Sequence, residues 1–228
     1  MGYDDYEQSE RVQEWLRHNG AAIAVGIVIG LALIFGYRQW NKHKASENID
    51  AAVQYQLVQT AIADGKTNEA KTLTDSLVKN HAGSTYAVFA MSLRARQDVD
   101  AGKAGDAIAA LQWAVQHAPK GPLQDLTRLR LARVQLVANK ANDALNTLKA
   151  MPAKAYLGLA TELRGDAQVK LGHVEAARKA YQSSLADFDA NSPQRRIVQM
   201  KIDNLAPAAV VKNTAPATAA SIHAKQDA

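Results

Sequence analysis

The sequence predicts an all-α protein, with one N-terminal transmembrane helix followed by a solenoid of stacked helical pairs. Three observations predict it. From Gly20 to Tyr37 the chain reads GAAIAVGIVIGLALIFGY, with no charged residue and no Asn, Gln, Ser or Thr. Beyond it, turn residues recur at Gly65, Gly102, Asn139 and Gly172, with spacings of 37, 37 and 33 residues. Hydrophobic residues make up 47% of the 228, yet aromatics only 6%. Such an Ala-rich composition suits close-packed helices better than a β-sandwich.

The first element is a short acidic segment, residues 1–19. It carries Asp4, Asp5, Glu7, Glu10 and Glu14 against Arg11 and Arg17, a net charge of −3. The whole chain is +5, so the remainder is +8, spread over many segments rather than gathered in one run. That is a solvated surface with a mild positive bias, not a nucleic-acid footprint.

The second element is the membrane helix, residues 20–40. Eighteen helical residues span about 27 Å, close to the hydrocarbon thickness of a bilayer. Lipid offers the backbone no hydrogen bonds, so the run must satisfy its own as a helix. A cleaved signal peptide has a basic n-region, a shorter apolar core and small residues at the cleavage site. Here the leading segment is acidic, and the run leaves through Phe35-Gly36-Tyr37-Arg38. The run is therefore expected to stay as an anchor. Trp15 and Trp40 bracket it, about 37 Å apart along a helix, where each indole meets a headgroup layer. Ala22, Gly26 and Gly30 share one ridge, a small-residue pattern that admits a second helix backbone. Flanking cations number two before the span (Arg11, Arg17) and three after it (Arg38, Lys42, Lys44). That count leans towards a cytoplasmic C-terminal domain, by a margin too narrow to orient the helix.

The third element, residues 45–205, is the repeat domain. Five residues after each turn stands an alanine: Ala70, Ala107, Ala144 and Ala177. Four further on stand Thr74, Leu111, Leu148 and Tyr181, and three beyond these Leu77, Ala114, Met151 and Ser184. The turn glycine permits the left-handed backbone that ends a helix. The alanine lets the next helix lie close, and the residue one turn on fills the groove between neighbours. Single helical pairs cannot bury their apolar faces, so consecutive pairs stack. Leu126, Leu129, Ala132 and Leu136 give the intervening segment a helical period, and Ser84–Ala101 and Ala153–Leu171 read likewise. A last helix, Pro193–Leu205, is expected to cap the stack. The Ala/Pro/Thr-rich residues 206–228 have little to bury, and the sequence predicts them to be disordered.

This arrangement resembles the tetratricopeptide repeat, with Ala95, Ala132 and Gly165 in the small first-helix position. It departs from that pattern in lacking large first-helix aromatics and in two spacings three residues too long.

No catalytic constellation is present. The six histidines, at 18, 43, 81, 117, 173 and 223, show no HxxxH or HExxH spacing. His43 and His81 read as polar residues near loops or helix ends. No GxSxG, GxGxxG or P-loop occurs, and Gly102-Lys103-Ala104-Gly105 reads as a turn. There is no Cys, which excludes disulfides, thiolate metal sites and Cys nucleophiles. The expectation is a binding protein with no catalytic residue, metal or cofactor, whose repeats present a groove to other proteins.

At a finer level the chain resembles the YfgM family, the ancillary subunit of the bacterial SecYEG translocon. The resemblance rests on Trp15-Leu16-Arg17-His18-Asn19-Gly20, the Gly-rich span and its exit at Arg38-Gln39-Trp40-Asn41. It continues in Leu129-Arg130-Leu131-Ala132-Arg133-Val134-Gln135, Leu163-Arg164-Gly165-Asp166 and Met200-Lys201-Ile202-Asp203-Asn204-Leu205. It implies an inner-membrane protein with a cytoplasmic N-terminus and a periplasmic repeat domain. It also implies partnership with the translocon and the periplasmic chaperone PpiD, and transfer of exported polypeptides to periplasmic chaperones. The alternative on the residues alone is a membrane-anchored scaffold for envelope or cell-wall assembly machinery.

Overall fold

In a computed structural model, residues 4–205 are described, except for the side chains of residues 4–14, 16 and 40–46. The described residues form nine helices and no strand: α1 (Asp4–Ala63), α2 (Thr67–Asn80), α3 (Thr85–Asp100), α4 (Ala104–His117), α5 (Pro122–Val137), α6 (Ala141–Lys149), α7 (Leu157–Lys170), α8 (Val174–Ala186) and α9 (Pro193–Asp203). The fold is all-α, an N-terminal apolar helix followed by a tetratricopeptide-like solenoid. The cap helix falls at α9, while α7 begins only at Leu157, after a turn through residues 153–156. Tail residues 206–228 lie outside the described residues.

Four turns share one geometry. Gly65, Gly102, Asn139 and Gly172 have φ of 73°, 73°, 59° and 79°. In each, the turn residue's amide donates to the carbonyl three back, at 2.9–3.1 Å. The next amide donates to the carbonyl five back, at 2.7–2.9 Å. This double bond closes a helix whose last carbonyls would otherwise lack donors. Glycine takes the left-handed backbone without strain, and Asn is among the few other residues that visit it routinely.

The chain forms two compact units. One holds the described residues up to Arg96, with Gln116–Ala118. Here α1 and α2 pair, burying Ala51, Val58 and Ala61 against Ala70, Thr74 and Leu77. The α1 helix runs unbroken through the apolar stretch and into this pair. His43 therefore stands in its interior, not near a loop or a helix end, because the helix continues past the charged exit of the apolar run. Tyr55 of α1 meets Tyr86 and Phe89 of α3, with ring centroids 5.8 and 6.0 Å away. Arg94 pairs with Asp75 at 2.6 Å.

The other unit holds Gln97–Val115 and the described residues from Pro119 onward. In it α5, α6 and α7 enclose one core, which includes Leu129, Ala132, Leu136, Ala144, Leu148, Leu163 and Ala167. A second core joins α8 to α9 through Ala177, Tyr181 and Val198, with Phe188, Ile202 and Leu205 against it. Ser192 caps α9, its hydroxyl accepting from the Gln194 amide, and Pro193 stands in the first turn, where no amide is needed.

Candidate protein-binding groove and membrane anchor

The second unit carries a groove of about 540 Å³. Its lining comes from α5 (Arg133, Leu136, Val137), α7 (Glu162, Leu163, Asp166, Val169, Lys170), α8 (Tyr181) and α9 (Lys201). Helical periodicity explains the set. Arg133 and Val137, like Glu162, Asp166 and Lys170, repeat every four residues and so share a ridge. Val137 is 60% exposed and Val169 43%, so an apolar lip faces solvent.

One wall of the groove is ionic. The Lys201 ammonium donates to Glu162 Oε1 at 2.7 Å and to both Asp166 oxygens at 2.7 and 2.8 Å. The Tyr181 hydroxyl donates to Asp166 Oδ1 at 2.7 Å, and Lys201 Nζ lies 5.7 Å from the Tyr181 ring centre. Burial, the bond to Asp166 and the nearby carboxylate charges push the Tyr181 pKa well above the ordinary tyrosine range. The phenol thus stays protonated and serves as a donor. Lys170 donates to Asn139 Oδ1 at 2.8 Å. Among the described residues Arg133 has no ion-pair or hydrogen-bond partner, and it is exposed.

The repeat-packing positions named from the sequence lie in the cores and turns of the repeats. Ala70, Ala107, Ala144 and Ala177 are all buried, as are Leu111, Ala114, Leu148 and Tyr181. Gly65, Gly102 and Gly172 occupy the turns. Gly102 and Lys103 form the second turn, while Ala104 and Gly105 already belong to α4. Gly165 touches the Tyr181 ring directly: a Cβ built on it would stand 2.5 Å from Tyr181 Cδ1 and nearer still to Cε1. Sequence reasoning missed the ionic wall, whose partners lie 15 to 39 residues apart. It also missed Val58, which stands seven residues before Gly65, as Ala95, Ala132 and Gly165 stand before their turns. That offset was the available signal.

The histidines are dispersed. His81 meets Gln54 at 3.3 Å and His173 meets Gln168 at 2.8 Å. His223 and the His43 side chain lie outside the described residues. Among the described residues, no group of three or more His, Asp and Glu is placed to hold a metal ion.

The candidate membrane span lies within α1. Arg17–Gln39 is long and apolar enough to cross a membrane, and no residue of its apolar window is buried. Ala22 and Gly26 are exposed and Gly30 half-buried, with open space where a Cβ would stand at either glycine. Trp15 is 58% exposed, and the Trp40 side chain lies outside the described ones.

The tetratricopeptide repeat-like domain family matches residues 13–207, so anchor and repeats fall within one match. An ancillary SecYEG translocon subunit of Escherichia coli is 31% identical over 202 residues, covering 89% of this chain and 97% of that protein. The chain belongs to the YfgM family of ancillary SecYEG translocon subunits. Another YfgM relative, from Haemophilus influenzae, is 27% identical over 208 residues, 90% of this chain and all of that protein. Two structures of MamA share the fold. One is 15% identical with a TM-score of 0.50, covering 60% of this chain and 72% of the other. The second, a double mutant, is 17% identical with a TM-score of 0.51, covering 68% and 85%.

Proposed function

We propose that this chain is a non-enzymatic adaptor of the Sec translocon. It is anchored in the inner membrane by α1, with its N-terminus cytoplasmic and its repeat domain periplasmic. In this reading the groove between α5, α7 and α9 receives exported polypeptides, which pass from there to the periplasmic chaperone PpiD and its network. The small-residue ridge of Ala22, Gly26 and Gly30 faces a neighbouring membrane helix, and Trp15 and Trp40 fix the depth of the span.

The observation that carries the reading is the reach of the similarity to the Escherichia coli subunit. It covers 97% of that protein, so the anchor and the repeats are inherited together. The geometry is consistent with it, because one helix carries both the candidate membrane span and half of the first repeat pair. The relatives' role as ancillary translocon subunits supports the same role here.

Two measurements on the full chain test this. Alkaline phosphatase fused after Ala228 should be active; an inactive but stably expressed fusion overturns the periplasmic assignment. Translocon subunits should copurify with the chain in mild detergent, and their absence overturns the adaptor reading.

A further inference from the structure

We propose that the groove selects extended segments carrying an acidic residue two positions from an aliphatic one, and that Arg133 is the residue that reads the acid. The inference rests on the reading of the groove as a polypeptide site. It begins with charge. The lining holds three cations, Arg133, Lys170 and Lys201, against two carboxylates, Glu162 and Asp166. Both carboxylates are committed to Lys201, and Asp166 also to Tyr181. Lys170 is committed to Asn139. Arg133 is left as the uncommitted charge of the lining among the described residues.

A basic side chain entering this groove would have to displace Lys201 from two carboxylates while facing the remaining cations. An acidic one pairs with Arg133 and breaks nothing, and the guanidinium fork holds a carboxylate by two parallel bonds. The surplus of +8 beyond residue 19 acts in the same direction over longer range.

Spacing sets the pattern. Val137 follows Arg133 by one turn, a rise of about 6 Å along α5. Residues i and i+2 of an extended chain point to the same side and lie about 6.6 Å apart. An extended segment along α5 can therefore place a carboxylate at Arg133 and a branched aliphatic group at Val137. Val169, also exposed on the lining, completes the apolar contact.

The test uses the full chain in detergent micelles and three labelled peptides, Gly-Ser-Glu-Ala-Val-Gly-Ser and its versions with Lys or Gln for Glu. Fluorescence anisotropy should give the Glu peptide an affinity about tenfold above the Lys peptide, the scale of one charge-assisted contact, and a binding that weakens with salt. Arg133→Gln should remove the preference and Arg133→Glu should reverse it, with unchanged melting temperatures. Equal binding of the Lys peptide, or a preference that survives Arg133→Glu, overturns the proposal. So does a failure of all three peptides to bind. Copurification of the translocon is scored separately on the same preparations, so loss of that association strikes the adaptor reading and leaves the peptide result to stand on its own.

Discussion

Seven residues before the four turns stand Val58, Ala95, Ala132 and Gly165; nine residues after them stand Thr74, Leu111, Leu148 and Tyr181. All eight are buried. As the second-helix residue grows from Thr to Leu to Tyr, the first-helix residue shrinks from Val to Ala to Gly. Interiors are packed to near-crystal density, so where two such positions touch, as Gly165 and Tyr181 do, one enlarges only if the other gives way. The last pair is the extreme case, because Gly165 has no room for a Cβ beside the Tyr181 ring. Gly165→Ala should therefore destabilise the protein by about 1–3 kcal/mol despite the better helix propensity of Ala. Tyr181→Leu should cost about 2–3 kcal/mol, from lost ring volume and the lost bond to Asp166. Together they recreate the Ala132/Leu148 pair of the preceding repeat, and their combined loss should fall clearly below the sum. Thermal melts of the four proteins check this, and strict additivity would refute the compensation.

Helix boundaries were legible in the sequence wherever their cause was local. A Gly or Asn that must adopt positive φ, and an alanine five residues later, are visible without any tertiary contact. The continuity of α1 was not, because hydropathy reports the surroundings of a helix rather than its backbone. The fall in hydropathy after Tyr37 marks an exit from the apolar run inside a helix that continues to Ala63. The hold on α9 was equally hidden, since Lys201 reaches Glu162 and Asp166 across 39 and 35 residues. This contact gives the cap helix a polar attachment beside its small core with Tyr181. Lys201→Met would leave two carboxylates facing each other with side chains only 12% and 25% exposed. With partial solvent screening, the expected loss is about 1–3 kcal/mol. Hydrogen exchange should place it: amides of Val198–Ile202 lose protection, while those of α5 and α6 keep theirs. Adding Glu162→Gln should restore part of that protection by removing one of the facing charges. Unaltered exchange in α9 of the single variant would show that apolar packing alone holds the cap.

For the whole molecule, the decisive feature is that one helix carries both the candidate membrane span and half of the first repeat pair. From Gln39 to Ala51 it climbs about 18 Å, so bilayer depth and rotation of the span are transmitted to the pair formed with α2. An unbroken helix transmits direction as well as height, and insertions separate the two. Two alanines inserted between Lys44 and Ala45 would turn that pair by about 200° while lifting it only about 3 Å. Seven inserted residues of good helix propensity, such as Ala-Glu-Ala-Ala-Lys-Ala-Ala, would lift it about 10 Å and leave its heading within about 20°. If the translocon is met by one defined face of the chain, site-specific crosslinking from that face should be lost in the two-residue variant. It should survive better in the seven-residue variant, although the latter moves the domain farther. Melting temperatures should be unchanged in both, because the insertions precede Ala51, the first buried residue of the pair. Equal crosslinking in both variants would mean that the stretch between anchor and repeat bends freely in the membrane, and that α1 tethers the domain without aiming it.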